Sequence, residues 1–311
     1  MYIGVDLGGT NIAVGLVDES GKIIAQDSTP TINTRSYQEI VKDMAELSIK
    51  VTESAGYKKE DIKAVGIGCP GTVDTKNGVV VYANNLKMQN AKIAEEFRKT
   101  FDVKVNLEND ANAAAFGEYI ATGVKASCFI FITLGTGVGG GVILDGKIFR
   151  GSNYAGAELG HITTMFGGEP CTCGRYGCWE AYASVTALIS QTKKAMSANP
   201  KSLMHKFAQE YGKINGRVAF EAAKAGDAAG QAVVDQYVQY VGDGVASVIN
   251  IFPPEILVIG GGISKEGSYL LDPVVQYVSV NDYNKMMTKT QIQIAKLYND
   301  AGIIGAALAA K

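Results

Sequence analysis

The sequence predicts an α/β protein built from two similar halves. Short apolar runs broken by tight turns fill the first thirty residues, and the same plan returns at residues 128–149, with helical patterns after each. The chain has 311 residues, enough for two domains of about 150 residues each.

Taken in order, YIGVDL, IAVGLVD and KIIAQDS alternate with GGTN and ESG, which reads as three antiparallel strands joined by tight turns. Residues 37–55 place Ile40, Val41, Met44, Leu47 and Val51 on one helical face. IKAVGIGCPGTV is a strand that runs into Pro70-Gly71, where a helix cannot continue. Residues 92–101 read as helix, VKVNLEN (103–109) as extended, and DANAAAFGEYIA as helix again. The run at 128–149 is strand, glycine turn, strand, turn, strand, and EILVIGGGIS (255–264) is an apolar strand entering another glycine turn. Residues 184–252 carry apolar positions at helical spacing and read as a helical block decorating the second half. The tail AGIIGAALAAK is a short apolar helix suited to docking on a domain. The expected division is a smaller domain over 1–120, joined by the helix at 301–311, and a larger one over 121–300.

Composition narrows the partners. With 29 basic and 31 acidic residues the chain carries no bulk charge that would favour nucleic acid or an anionic membrane surface. No apolar run approaches the ~20 residues of a membrane span, and the start MYIGVDLGGT lacks the features of a secretory signal. Five cysteines in such a chain are expected to stay reduced, so the cytoplasm is the expected compartment.

LGTGVGG contains a formal GxGxxG at Gly135, Gly137 and Gly140, but the next residues, GVILDGKIF, read as a strand rather than the helix a dinucleotide fingerprint must open. No GxxxxGK[ST] phosphate loop exists. A glycine hairpin can still hold phosphate, because successive backbone N–H groups form an anion nest and the missing side chains allow close approach. Two such turns stand at Gly8-Gly9 and at Thr136-Gly137. DLGGTN sets Asp6 ahead of its turn, where it could hold Mg²⁺ directly or through water, with Thr10 and Asn11 just after. Gly261-Gly262 adds a turn at the end of an apolar strand, where nucleotides sit in open α/β sheets.

DLGGTN, LGTGVGGG and VIGGGIS, in that order, resemble the phosphate and adenosine segments of the actin, hexokinase and chaperone ATPases. GAELGH followed by CTCGRYGCWE is similar to the signature of the ROK family of bacterial sugar kinases and sugar-responsive repressors, E-x-G-H then C-x-C-G-x-x-G-C-x-E. The resemblance covers essentially the whole chain. It implies a two-domain actin-like ATPase fold (ribonuclease H-like) with an interdomain cleft and a zinc-binding loop, and the C-terminal helix returning to the first domain.

His161, Cys171, Cys173 and Cys178 supply an imidazole and three thiolates, which suits a closed, structural tetrahedral Zn²⁺ site; the plainer alternative is three unrelated thiols. Cys69 and Cys128 sit in apolar strands and read as core. Glu158 and Glu180 flank the cysteine loop, so fixing a metal would fix two carboxylates able to accept bonds from paired sugar hydroxyls, with His161 offering its second ring nitrogen. Alone, either glutamate reads as a solvated surface acid.

Asn109 and Asp110 stand at the start of an alanine-rich helix, and spacing alone favours a helix N-cap. The resemblance implies more: a sugar-binding pair with Asp110 as the catalytic base. It further implies an ATP-dependent hexose kinase acting on the 6-hydroxyl of glucose, with Mg²⁺, and contacts from Asn84 or Asn85 with the Gly71-Thr72 turn. N-acetylmannosamine, N-acetylglucosamine, mannose, allose and fructose are the alternative sugars, since a one-group difference in a pocket is not legible in sequence. The family resemblance also implies a homo-oligomer, dimer or tetramer. The rival class is a sugar-sensing repressor, which would place a helix-turn-helix ahead of the first strand; that strand begins at Tyr2. A non-sugar ATPase of the actin type is disfavoured by the cysteine loop and its glutamates.

Overall fold

A computed structural model describes residues 1–123 and 125–311. The chain divides into two compact units: Met1–Phe131 with Gly141–Ala157 and Lys296–Lys311, and Ile132–Gly140 with Glu158–Ala295.

The first unit opens with strands β1 (Tyr2–Leu7), β2 (Asn11–Val17) and β3 (Ile23–Pro30), then helix α1 (Tyr37–Ser54) and strand β4 (Ala64–Cys69). Next come three short strands, β5 (Thr72–Asp74), β6 (Val79–Ala83) and β7 (Met88–Ala91), then helix α2 (Ile93–Arg98), strand β8 (Lys104–Asn109) and helix α3 (Asp110–Thr122). The main sheet has the order β3-β2-β1-β4-β8, with β1 antiparallel to β2 and parallel to β4, and β4 parallel to β8. β1 and β4 are buried almost throughout, which is why they read as unbroken apolar runs. A capping box starts α1: Ser36 Oγ accepts the Glu39 N–H, and the Glu39 carboxylate accepts the Ser36 N–H at 2.9 Å.

The chain continues through β9 (Cys128–Leu134), β10 (Val138–Leu144) and β11 (Lys147–Ile148) to helices α4 (Glu180–Ala183), α5 (Val185–Ala198), α6 (Met204–Glu210), α7 (Val218–Lys224) and α8 (Ala228–Ile251). It closes with β12 (Ile256–Gly260), α9 (Ser268–Asn281), β13 (Gln291–Ile294) and α10 (Asp300–Ala309). The second sheet has the order β11-β10-β9-β12-β13, the same connectivity as the first, so the two sequence patterns fold to one topology. The helical block is helical, with α5 and α8 N-capped by Ser184 and Asp227.

Three features are not legible in the sequence. The β5-β6-β7 sheet is built from strands too short and too exposed to show a period. Helix α9 contains Pro273, a breaker signal, and is held by burial of Leu270, Val274 and Val278. β13 is a four-residue strand parallel to β12.

Helix α10 lies against β1, β4 and α3 of its own unit with backbone touching backbone. A Cβ on Gly305 would fall 1.7 Å from the Ala113 carbonyl oxygen, and one on Gly66 would fall 1.7 Å from that of Ala306. Only glycine permits that approach. The carboxylate of buried Glu118 on α3 accepts the N–H groups of Lys296 and Leu297 at 3.0 and 2.8 Å, which fixes the chain as it enters α10. Among the described residues, no helix is long and apolar enough to cross a membrane.

Candidate functional site

In the first unit the carboxyl ends of three parallel strands meet, the place where ligands sit in open α/β sheets. Asn109 ends β8 and caps α3: its Oδ1 accepts the Asn112 N–H at 3.1 Å, and its Nδ2 donates to the Gly71 carbonyl at 3.1 Å. Gly71 has φ of 97°, and a Cβ there would lie 2.2 Å from the Tyr82 carbonyl oxygen. Asp110 is the first residue of α3, and its Oδ1 accepts the Ala111 N–H at 2.9 Å. Burial raises the Asp110 pKa.

Asp6 near the end of β1 is pushed up to about 6, first by burial and then by the charge of Asp110. Cys69 ends β4 opposite Asn109, and its thiol is raised well above the usual range by burial and by the charges of Asp110 and Asp6. Asp6 and Asp110 thus place two partly buried carboxylates at the strand ends, and carboxylate oxygen is the ligand type that a hard divalent cation such as Mg²⁺ takes.

The turn after β1 is held tightly. The Gly8 N–H donates to the Asn11 carbonyl at 2.9 Å, the Thr31 hydroxyl to the Gly8 carbonyl at 2.8 Å, and the Thr31 N–H to the Thr10 carbonyl at 2.7 Å. Thr10 and Asn11 are exposed. Gly9 faces the turn between β6 and β7, where its Cβ would stand 3.2 Å from that of Asn85. Asn84, also exposed, accepts the Tyr82 hydroxyl at 3.4 Å.

The second unit carries the other glycine turns. Between β9 and β10 the Gly135 N–H donates to the Gly137 carbonyl at 2.9 Å, and the Thr186 hydroxyl to the Thr136 carbonyl at 2.7 Å. Gly261, with φ of 87°, packs on the end of β9 so closely that a Cβ would lie 2.2 Å from the Leu134 carbonyl oxygen. A Cβ at Gly262 would meet nothing within 4 Å, so this turn leaves open space for a ligand.

His161, Cys171, Cys173 and Cys178 bring their ligand atoms within 4.8 Å of one another. Cys171 Sγ is 3.7 Å from His161 Nδ1, and Cys173 Sγ is 3.6 Å from Cys178 Sγ. Tetrahedral Zn²⁺ with bonds of about 2.0–2.3 Å needs ligand separations of about 3.5–3.8 Å, so these four residues fit the ion. Without a cation the thiols cannot ionise together: burial, then Cys173 and Cys171, push Cys178 up to about 12. Nδ1 faces the thiols, leaving Nε2 as the ring nitrogen for another partner.

The loop is rooted by Trp179, fully buried, whose Nε1 donates to the Tyr240 carbonyl on α8 at 2.7 Å. Gly244 makes room for it, since a Cβ there would lie 1.9 Å from the indole. Glu158 is placed just before the turn that carries His161. Glu180 is more constrained than its sequence position suggests: Oε2 accepts the Val138 N–H at 2.9 Å and Oε1 the Thr172 hydroxyl at 3.2 Å. Oε1 also accepts the Cys171 thiol at 3.7 Å; a carboxylate has four lone-pair directions, so one remains.

Sequence reasoning does not single out Thr172, Glu108 or the placement of Cys69. The only sequence signal for Glu108 is an acid inside the strand run VKVNLEN.

Residues 2–311 match the ROK family. The chain is 37% identical over 307 residues to a glucokinase of Thermotoga maritima, covering 98% of this chain and 95% of that one. Its structure is similar to that of a ROK family glucokinase from Streptomyces griseus in complex with glucose and AMPPNP, with a TM-score of 0.84, 35% identity, and 98% and 97% of the two chains covered. It is also 30% identical to the xylose repressor of Caldicellulosiruptor bescii, in a match that covers 97% of this chain but 76% of the repressor. With its cysteine loop, glycine turns and Asn-Asp pair all set in a match that spans nearly its full length, this chain belongs to the ROK family.

Proposed function

We propose that this chain is an ATP-dependent glucose kinase that transfers the γ-phosphoryl group to the 6-hydroxyl of the sugar. The observation that carries the reading is Asp110, a partly buried carboxylate beside the capping Asn109 at the strand ends, in a chain whose relatives over nearly its whole length include glucokinases. Ionised Asp110 accepts the proton of the 6-hydroxyl as that oxygen bonds to the γ-phosphorus. The bond from phosphorus to the β,γ-bridging oxygen breaks, and ADP leaves. A pKa raised by burial makes Asp110 a stronger base than a solvated aspartate.

The other roles are those of the family pattern. Asp6 would hold Mg²⁺, which neutralises phosphate charge when bound. The turns with Gly8, Gly9, Thr10 and Asn11 and with Thr136 and Gly137 offer backbone N–H groups and hydroxyls to the phosphates. The open space at Gly262, beside Gly261, suits the adenosine. Asn109, Asn84 and the Gly71 turn, and separately Glu158, His161 and Glu180, hold the sugar hydroxyls. Zn²⁺ on His161, Cys171, Cys173 and Cys178 is a structural frame and takes no part in bond making. A reducing cytoplasm suits that thiolate set, and a homodimer or tetramer is the family's usual state.

Phosphorus NMR of the product formed from glucose and Mg·ATP tests the reading. A 6-phosphate ester supports it. An ester at another position, or hydrolysis of ATP without a sugar ester, overturns it.

A further inference from the structure

Glu108 immediately precedes the Asn109-Asp110 pair, and it is 1% exposed. An acid at that depth needs partners for all its oxygens. Oε1 accepts the Asn109 N–H at 3.0 Å and the Asn112 side-chain amide at 3.2 Å. Oε2 accepts Nε and Nη2 of Arg150 at 2.7 and 2.6 Å, a two-donor fork on one oxygen.

These partners have one thing in common. Asn109 is the cap of α3, and Asn112 is the residue whose N–H it caps. Glu108 thus grips both ends of the capping turn that carries Asp110, while Arg150, from the segment after β11, supplies the counter-charge. Stability alone is a weak account of such a pair, because a buried ion pair is often no better than an apolar replacement of similar volume. Orientation is a better one: a misplacement of about 1 Å in a reacting group can cost on the order of 100-fold in rate.

We propose that Glu108 and Arg150 are positioning residues for phosphoryl transfer, locking the first turn of α3 so that Asn109 and Asp110 are held in a single orientation. The inference rests on the glucose-kinase reading above. Neither side chain is assigned contact with the sugar or the nucleotide.

The test uses the full chain and the variants Arg150→Met, Arg150→Lys and Glu108→Gln. Kinetics with glucose and Mg·ATP, thermal unfolding and amide hydrogen exchange are measured on each. Arg150→Met and Glu108→Gln are expected to lose about 10- to 100-fold in kcat while the glucose KM stays within about threefold. Arg150→Lys keeps the charge without the fork and is expected to recover part of the loss. In Arg150→Met the amides of Asn109–Asn112 are expected to lose at least about tenfold in exchange protection, with those of residues 115–120 unchanged.

A kcat within about twofold of the wild type in both charge-removing variants would overturn the proposal, as would a fall in thermal stability with kcat preserved. If the wild type phosphorylates no sugar, the kinase reading fails by itself. Unchanged exchange at Asn109–Asn112 would then overturn the positioning role, because that readout needs no substrate.

Discussion

The carboxylate of Glu180 accepts the N–H of Val138 at 2.9 Å, tying the residue that ends the cysteine loop to the glycine hairpin between β9 and β10. Gly137 makes this possible, since a Cβ at that position would lie 2.2 Å from Glu180 Oε2. Gly137→Ala is therefore expected to displace the Glu180 carboxylate and break the bond to Val138. Losing one hydrogen bond to a charged group is worth about 1.5–3 kcal/mol, so glucose affinity should weaken about tenfold or more by calorimetric titration. Unchanged affinity would show that the tether does not set the carboxylate's position for the sugar.

The proposed zinc frame makes the cysteine loop depend on a bound metal. Cys173→Ser replaces a good Zn²⁺ ligand with a poor one, and the variant is expected to purify without zinc by elemental analysis. Glucose binding should weaken about 10- to 100-fold in it, and equally in wild-type protein stripped by a chelator. Zn²⁺ added back should rescue the stripped wild type and leave the variant unchanged. Full glucose affinity in metal-free protein would contradict the role of the loop as a frame.

Asp6 gives a pH dependence of stability with a definite sign. Its folded-state pKa of about 6 lies above the ordinary 3.8, so the folded protein holds this proton more tightly than the unfolded chain. The resulting stabilisation is complete below about pH 4 and is lost as pH rises through about 6. Asp6→Asn, which carries no charge, should therefore stabilise the Mg²⁺-free protein at about pH 7 by up to about 3 kcal/mol and by almost nothing at about pH 4. Urea unfolding at the two pH values measures this, and an equal gain at both would contradict it.

Local features are legible in the sequence and distant pairings are not. The strands of the two sheets apart from β13 and helices α1, α5 and α8 show in the pattern of their apolar residues, α3 shows in its alanine-rich run, and the four zinc-ligand candidates lie close together along the chain. Asn109 reads as a cap from its spacing, and the cap is present. By contrast, Glu180 reaches Val138 and Glu108 reaches Arg150, each pair 42 residues apart, through ordinary charged and backbone groups that leave no motif. The β5-β6-β7 sheet escapes notice because strands of three to five residues carry too few positions for a period to emerge.

The most direct measurement is glucose-dependent ADP release from Mg·ATP by the wild type and by Asp110→Ala, with glucose affinity measured on both. The account predicts turnover of glucose by the wild type, a loss of about 10²- to 10⁴-fold in the variant, and glucose binding within about threefold of normal. Near-normal turnover in Asp110→Ala would remove that residue from its role as base, and a wild type silent with glucose would contradict the assigned substrate.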